Sequence, residues 1–257
     1  MRTVVVTGSA SGIGHATKEL LEQRGDRVIG VDLHDAEVTV DLTTPEGRTD
    51  LVERVRELSG GTIDAVIANA GLAHESPATI AVNFFGAVAT LEGLRPLLLG
   101  SAAPHASLTS SMASLMPNDS ELVELALSGD EAGALRRCGE LIEAGQGALI
   151  YGSSKNALSR WMRRVAATPE WAGAGIPLNG VGPGIVVTPM TQDMIATEEA
   201  RAALSEQVPM PLHGFMGPEV VARLHAWLIS DENTHVCGQI VFIDGGSDVV
   251  IRGDSTW

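Results

Sequence analysis

The sequence predicts an α/β fold: a doubly wound parallel sheet with helices on both faces, in one domain spanning residues 1–257. Three observations carry this. Short β-branched runs alternate with helical patterns along the chain, the rhythm of repeated βαβ units. The runs are continuously apolar rather than alternating, as strands covered on both faces must be. The first run leads into a glycine-rich turn and then a helix start.

In chain order, "TVVVTG" (3–8) reads as the first strand and 12–24 as the helix after it. "RVIGVD" (27–32) and a helix over 46–58 form the second unit. "DAVIAN" (64–69) and a helix over 78–99 form the third. "ASLTSS" (106–111) is the fourth strand, followed at a distance by a helix from about 150 to 168. "PLNGVG" (177–182), a helix over 218–230 and "IVFIDG" (240–245) complete the pattern. Right-handed crossovers then distribute the helices over both faces. Two regions break the rhythm. Residues 116–146 insert a largely helical block before the 150–168 helix. Residues 189–217 hold Met190, Met194, Met210 and Met216 with three prolines and Phe215, and read as an apolar flap beside the strand ends.

Composition excludes several classes. The net charge of −15 disfavours nucleic acid, whose binding rests on lysine and arginine neutralising phosphates. It disfavours anionic membrane surfaces for the same reason. No run approaches 18 apolar residues, so no membrane span is expected. "MRTVVVTGSASG" lacks the layout of a signal peptide. Cys138 and Cys237 form no metal-ligand spacing and no disulfide framework, and read as reduced thiols of a cytoplasmic protein. The seven histidines include no HExxH, so no metal is expected.

"VVVTGSASGIGHAT" carries the first candidate site. Gly8, Gly12 and Gly14 permit backbone angles and a close approach that a side chain would block. Free N–H groups at the helix start, with the helix dipole, favour an anion. Asp32 ends the second strand, 24 positions after Gly8, where a βαβ unit places an acid beside an adenosine ribose. Its carboxylate can accept from both ribose hydroxyls and would repel a 2′-phosphate. No arginine or lysine follows in "VDLHDAE". NAD is therefore expected rather than NADP.

Tyr151, the one tyrosine in the chain, stands four places before Lys155 in "LIYGSSKNAL". Residues four apart share a helix face, so phenol and ammonium can point into one cleft. A free phenol titrates near 10. A cation nearby, and the positive charge of an oxidised nicotinamide, would stabilise the phenolate. Bringing the value to about 8 takes roughly 2.7 kcal/mol of preferential interaction. Such a group could take a proton from an alcohol or return one to an alkoxide. Ser110 and Ser111 end the fourth strand. In an open parallel sheet the carboxyl ends of the strands form the ligand crevice, so turn, serines and Tyr151–Lys155 should converge there.

TGSASGIG, Asn69-Ala70-Gly71, "VNFFG", "TSSMAS", "YGSSK" and "NGVGPGIVVTPM" occur in order over nearly the whole chain. The sequence thereby resembles the short-chain dehydrogenase/reductase family. The resemblance implies a Rossmann-type domain and a catalytic group of Ser111, Tyr151, Lys155 and Asn83, with Asn83 anchoring a water that links Lys155 to solvent. It implies cofactor contacts from Gly8, Ser11, Gly12, Ile13 and Gly14, from Asp32 and Leu33, and from Asp41 and Leu42 at the adenine. Asn69, Ala70 and Gly71 would pass the adenosine ribose. Pro183, Gly184, Ile185 and Thr188, with Tyr151 and Lys155, would hold the nicotinamide end.

One departure is informative. Tyr151 lies 40 positions beyond Ser111, a far longer gap than most members have. The insertion, "DAEVTVDLTTPEGR" and "GSSKNAL" together look like the branch containing bacterial 3α-hydroxysteroid dehydrogenase/carbonyl reductase. The insertion precedes the helix that most members use in subunit packing, so a homodimer is expected in place of the usual tetramer. Ser111, Met112, Met190, Met194, Met210 and Phe215 would line an apolar substrate pocket, since methionine adapts to irregular apolar shapes. The expected activity is an NAD(H)-dependent oxidoreductase interconverting a secondary alcohol and a ketone on a small apolar substrate, of hydroxysteroid/carbonyl type. An aryl-alcohol or dihydrodiol dehydrogenase on the same scaffold is the alternative. A dinucleotide-binding sensor without chemistry would have no use for the complete Ser-Tyr-Lys-Asn set.

Overall fold

The structure is a computed structural model and describes residues 1–256. Seven parallel strands form one sheet in the order β3-β2-β1-β4-β5-β6-β7. They are β1 (Thr3–Thr7), β2 (Arg27–Asp32), β3 (Val38–Thr39), β4 (Ala65–Ala68), β5 (His105–Thr109), β6 (Leu178–Pro183) and β7 (Ile240–Ile243). The order reverses between β1 and β4, and their carboxyl ends open the crevice there. The doubly wound sheet expected from the sequence is present. β3 was not expected, because two residues give no periodic signal.

Side chains of successive strand residues leave by opposite faces, and the core divides accordingly. Val4 and Val6 of β1, with Ala65 and Ile67 of β4, pack with Leu21 of α1 (Gly12–Gln23) and Ala226 of α9 (Pro218–Leu228). Val5, Ile29, Val66 and Leu108 face the other way. They meet Leu51 of α2 (Pro45–Ser59), Leu94 of α4 (Ala87–Leu98) and Leu158 of α7 (Leu149–Val165). Leu94 is fully buried, and truncating such a side chain to alanine costs about 2–5 kcal/mol.

Local chemistry sets the helix ends. Thr44 caps α2 by accepting from the Gly47 N–H at 3.0 Å, Pro45 stands at its first position and Gly60 leaves it in the left-handed conformation. The 116–146 insertion forms two helices, α5 (Ser120–Ser128) and α6 (Glu131–Glu143), with Asp119 and Asp130 as caps. Gly129 reverses the chain between them at φ 79°. α5 packs on α7. The 189–217 flap is partly helical, with α8 over Glu198–Gln207, and a short α10 (Ser247–Arg252) follows β7. Neither helix was expected.

The 78–99 helix differs from expectation in two ways. It comprises α3 (Pro77–Ile80), a π-helical segment (Ala81–Gly86) and α4, so the chain widens around Asn83. The Pro77–Leu98 run is also long and apolar enough to cross a membrane, with mean hydropathy 1.2 over its best window. Small and polar residues such as Thr79, Asn83 and Thr90 interrupt that run, so it is not a continuous apolar stretch. Here 61% of that window is buried inside the fold, and Leu91, Leu94 and Leu98 belong to the core.

Candidate active site

One cleft runs along the carboxyl ends of the strands, with a cavity volume of about 320 Å³. At one end lie Asp32, Leu33, Asp41, Leu42 and Thr43. At the other lie Ser111, Tyr151 and Lys155, with Pro183, Gly184, Val186 and the run from Thr188 to Thr191. Gly8, Ser11, Gly12 and Ile13 form its floor with Asn69, Ala70 and Gly71.

The glycine turn is built for close approach. Gly8 and Gly12 have φ of 70° and 52°, where only glycine is unstrained. A Cβ on Gly8 would lie 2.9 Å from the Ala70 backbone, and one on Gly14 would overlap the Gly8 carbonyl. Gly14 is buried beneath the turn and does not line the cleft; its role is to let α1 approach the strand end. The first turn of α1 has no side-chain cap and no acidic residue. Its N–H groups are therefore available to an anion. Asp32 accepts from Ala10 N–H at 2.9 Å and Leu33 N–H at 2.7 Å, which fixes its carboxylate at the cleft mouth. A glycine cradle, uncapped N–H groups and a fixed acid on the neighbouring strand fit a dinucleotide with free ribose hydroxyls.

At the far end, Ser111, Tyr151 and Lys155 line the cleft together, and the Ser111 hydroxyl accepts from the Ala113 N–H at 3.1 Å. Burial pushes the Tyr151 phenol above its ordinary value, and the nearby Ser111 hydroxyl offsets part of that rise. This burial opposes the lowering expected from Lys155 and an oxidised nicotinamide together. The Lys155 Nζ lies 6.0 Å from the tyrosine ring centroid and donates to the Thr109 carbonyl at 2.8 Å. Desolvation brings Lys155 down to about 8. Further positive charge is needed to draw the phenol down.

Asn83 is fully buried in the π segment behind Lys155. Its Oδ1 accepts from Leu72 N–H at 2.8 Å, and its Nδ2 donates to the Leu72 carbonyl and the Ser154 hydroxyl, both at 2.9 Å. A Cβ on Gly71 would lie 3.0 Å from Asn83 Oδ1 and 3.5 Å from Lys155 Nζ. The side chain thus ties the loop after β4 to the tyrosine helix.

A second network lies behind the cleft. Asn69 Nδ2 donates to the Thr7 carbonyl, which leaves Oδ1 to accept from the Thr109 hydroxyl at 2.9 Å. With its one proton committed, Thr109 accepts from Nε2–H of fully buried His225 at 3.0 Å. Nδ1 of the ring then accepts from the Ser107 hydroxyl at 2.9 Å. Burial pushes His225 down to about 3, so the ring is neutral. Nothing near His225 in the sequence signals this role; only the packing of α9 on β5 creates it.

The expected apolar pocket is corrected in part. Met190 lines the cleft. Met112 is buried in a short 3-10 turn, and Met210 is buried against Gly184 and Gly245 with its sulfur accepting from Ile185 N–H at 3.2 Å. Both are packing residues. Met194 is 50% exposed and Phe215 half-buried, and neither lines the cleft, because the helical flap holds them outside it. Ile185, two residues past β6, also falls outside the lining; its N–H donates to the Met210 sulfur and its carbonyl accepts from Met216 N–H. Leu72, Val82, Val186 and Pro189 supply apolar surface that sequence reading missed. Among the described residues no cluster of His, Cys, Asp and Glu could hold a metal.

A profile of the family described as enoyl-(acyl carrier protein) reductase matches residues 8–248. The chain is 34% identical over 256 residues to the 3-alpha-hydroxysteroid dehydrogenase/carbonyl reductase of Comamonas testosteroni, covering 98% of each. It is 28% identical over 263 residues to 3beta-hydroxysteroid dehydrogenase 1 of Eggerthella lenta, covering 95% of this chain and 93% of that one. Among solved structures, the 3-alpha-hydroxysteroid dehydrogenase of Pseudomonas sp. B-0831, complexed with NADH, superposes with a TM-score of 0.90. That protein is 37% identical, with 98% of this chain and 99% of the other covered.

Proposed function

The chain belongs to the short-chain dehydrogenase/reductase family, and on that premise we propose that it is an NAD(H)-dependent oxidoreductase interconverting a secondary alcohol and a ketone on an apolar, steroid-like substrate. One observation carries the reading. Ser111, Tyr151 and Lys155 meet at one end of a cleft whose other end offers an uncapped helix start and a fixed Asp32. The substrate class rests on the relatives' activities and on the apolar lining from Leu72, Val186, Pro189 and Met190.

In the oxidative direction Tyr151, as phenolate, removes the hydroxyl proton while the carbinol C–H leaves as hydride. NAD⁺ bound in the cleft would supply the hydride acceptor and a further positive charge. Ser111, which lines the cleft together with Tyr151, donates to the substrate oxygen and holds it within proton-transfer reach. Lys155, whose Nζ is held by the Thr109 carbonyl, would hold the nicotinamide ribose and add positive charge. Asn83 keeps the Leu72 loop and the tyrosine helix in register. In reduction the phenol returns the proton to the developing alkoxide.

Tyr151→Phe tests the assignment. NADH binding should persist while turnover of a hydroxysteroid or aryl ketone panel falls by at least about 10²–10⁴-fold; near-parental turnover would defeat it. The panel also separates a steroid preference from an aryl-alcohol or dihydrodiol one.

The domain is a single unit in this reading and the assembly a homodimer. α5 lies on α7, which supports a blocked tetramer contact; light scattering at tetramer mass would refute it. A cytoplasmic setting fits the free Cys138 and Cys237.

A further inference from the structure

The insertion reaches the cofactor end of the cleft through one buried cation. Arg48, on the first turn of α2, is 9% exposed. Its Nε donates to the Leu42 carbonyl at 2.8 Å. Nη2 donates to the Thr43 carbonyl at 3.3 Å and to the Ala81 carbonyl at 3.2 Å. The guanidinium then forms a two-pronged pair with Glu131 at the start of α6, at 2.8 and 2.7 Å. Its carbon lies 5.9 Å from the Phe85 ring centroid.

These carbonyls are not scattered. Leu42 and Thr43 line the Asp32 end of the cleft, and Ala81 precedes cleft-lining Val82 in the π segment that carries Asn83. A planar fork fixes several acceptors in one plane, which a lysine ammonium does not do. The carboxylate on the opposite side of the fork is Glu131.

We propose that Arg48, oriented by Glu131 of the insertion, is a positioning residue for the adenine end of the cofactor cleft. The insertion thereby acts on cofactor affinity as well as on the molecular surface. The proposal rests on the dinucleotide reading of that cleft. It places no new group on the reacting atoms, so it acts on binding rather than on the chemical step.

Glu131→Gln keeps the side-chain shape and removes the charge; Arg48→Lys keeps the charge and removes the fork. Each purified variant is titrated with NADH by fluorescence, assayed for kcat at saturating NADH, and melted. Both variants should raise the NADH Kd about tenfold, with kcat at saturation within about two-fold of the parent. Arg137→Gln is the control. It breaks pairs to Asp119 and Glu140 within the insertion without touching Arg48, and should leave the NADH Kd unchanged. Should Arg48→Lys fail to fold, Glu131→Gln decides alone. An unchanged Kd in Glu131→Gln overturns the proposal, whatever happens to its melting temperature. A Kd raised equally by Arg137→Gln also overturns it, since general loosening would then explain the effect. A parent protein that binds no NADH removes the cofactor reading itself, a different failure.

Discussion

His225→Gln separates the titration of one buried ring from everything else that acid does to the protein. The imidazole is fully buried, and its two nitrogens are committed to Ser107 and Thr109. Burial holds it at about 3 in the folded chain, against an ordinary value of 6.5. The folded value is the lower one, so between these limits the unfolded chain binds the extra proton. Stability from this group is therefore complete above pH 6.5 and is lost as pH falls toward 3. The slope is about 1.4 kcal/mol per pH unit, which gives a loss of about 2 kcal/mol by pH 5. Glutamine retains a donor and an acceptor but does not titrate. The assay is urea unfolding of parent and variant at pH 7.5 and pH 5, at one protein concentration. Other acid-sensitive groups are common to both and cancel. The parent's advantage over the variant should shrink by about 2 kcal/mol between the two conditions. An advantage that is constant with pH would refute the buried neutral ring.

Two further substitutions test the cofactor end. Asp32→Ala should raise the NAD Kd at least about tenfold and erode preference over NADP, because the ribose acceptor and the repulsion of a 2′-phosphate go together; unchanged affinity would place the adenosine elsewhere. Gly14→Ala should lower the melting temperature and abolish NADH binding, since its Cβ would overlap the Gly8 carbonyl beneath the turn. Overpacking of this kind costs about 1–3 kcal/mol, and a variant with parental melting and affinity would refute the close packing of α1 on the turn.

The strands, the glycine turn, Asp32 and the Tyr151–Lys155 pair were legible in the sequence because each is local. A buried parallel strand must be continuously apolar, a positive φ asks for glycine, and a four-residue spacing fixes a shared helix face. Within these limits the chain alone determined its sheet, its cleft and the residues that meet there. What it did not disclose depends on partners distant in sequence. His225 acquires its tautomer from Ser107 and Thr109, and Arg48 its fork from Leu42, Ala81 and Glu131. Met112, Met194 and Met210 were assigned by composition to a pocket, but which face of a turn or flap reaches the cleft is settled by packing against other elements. The direction of the Tyr151 shift was decided the same way. The sequence spacing pointed to phenolate stabilisation by Lys155 with an oxidised nicotinamide, whereas the fold gives the ammonium to the Thr109 carbonyl and sets burial of the phenol against both charges.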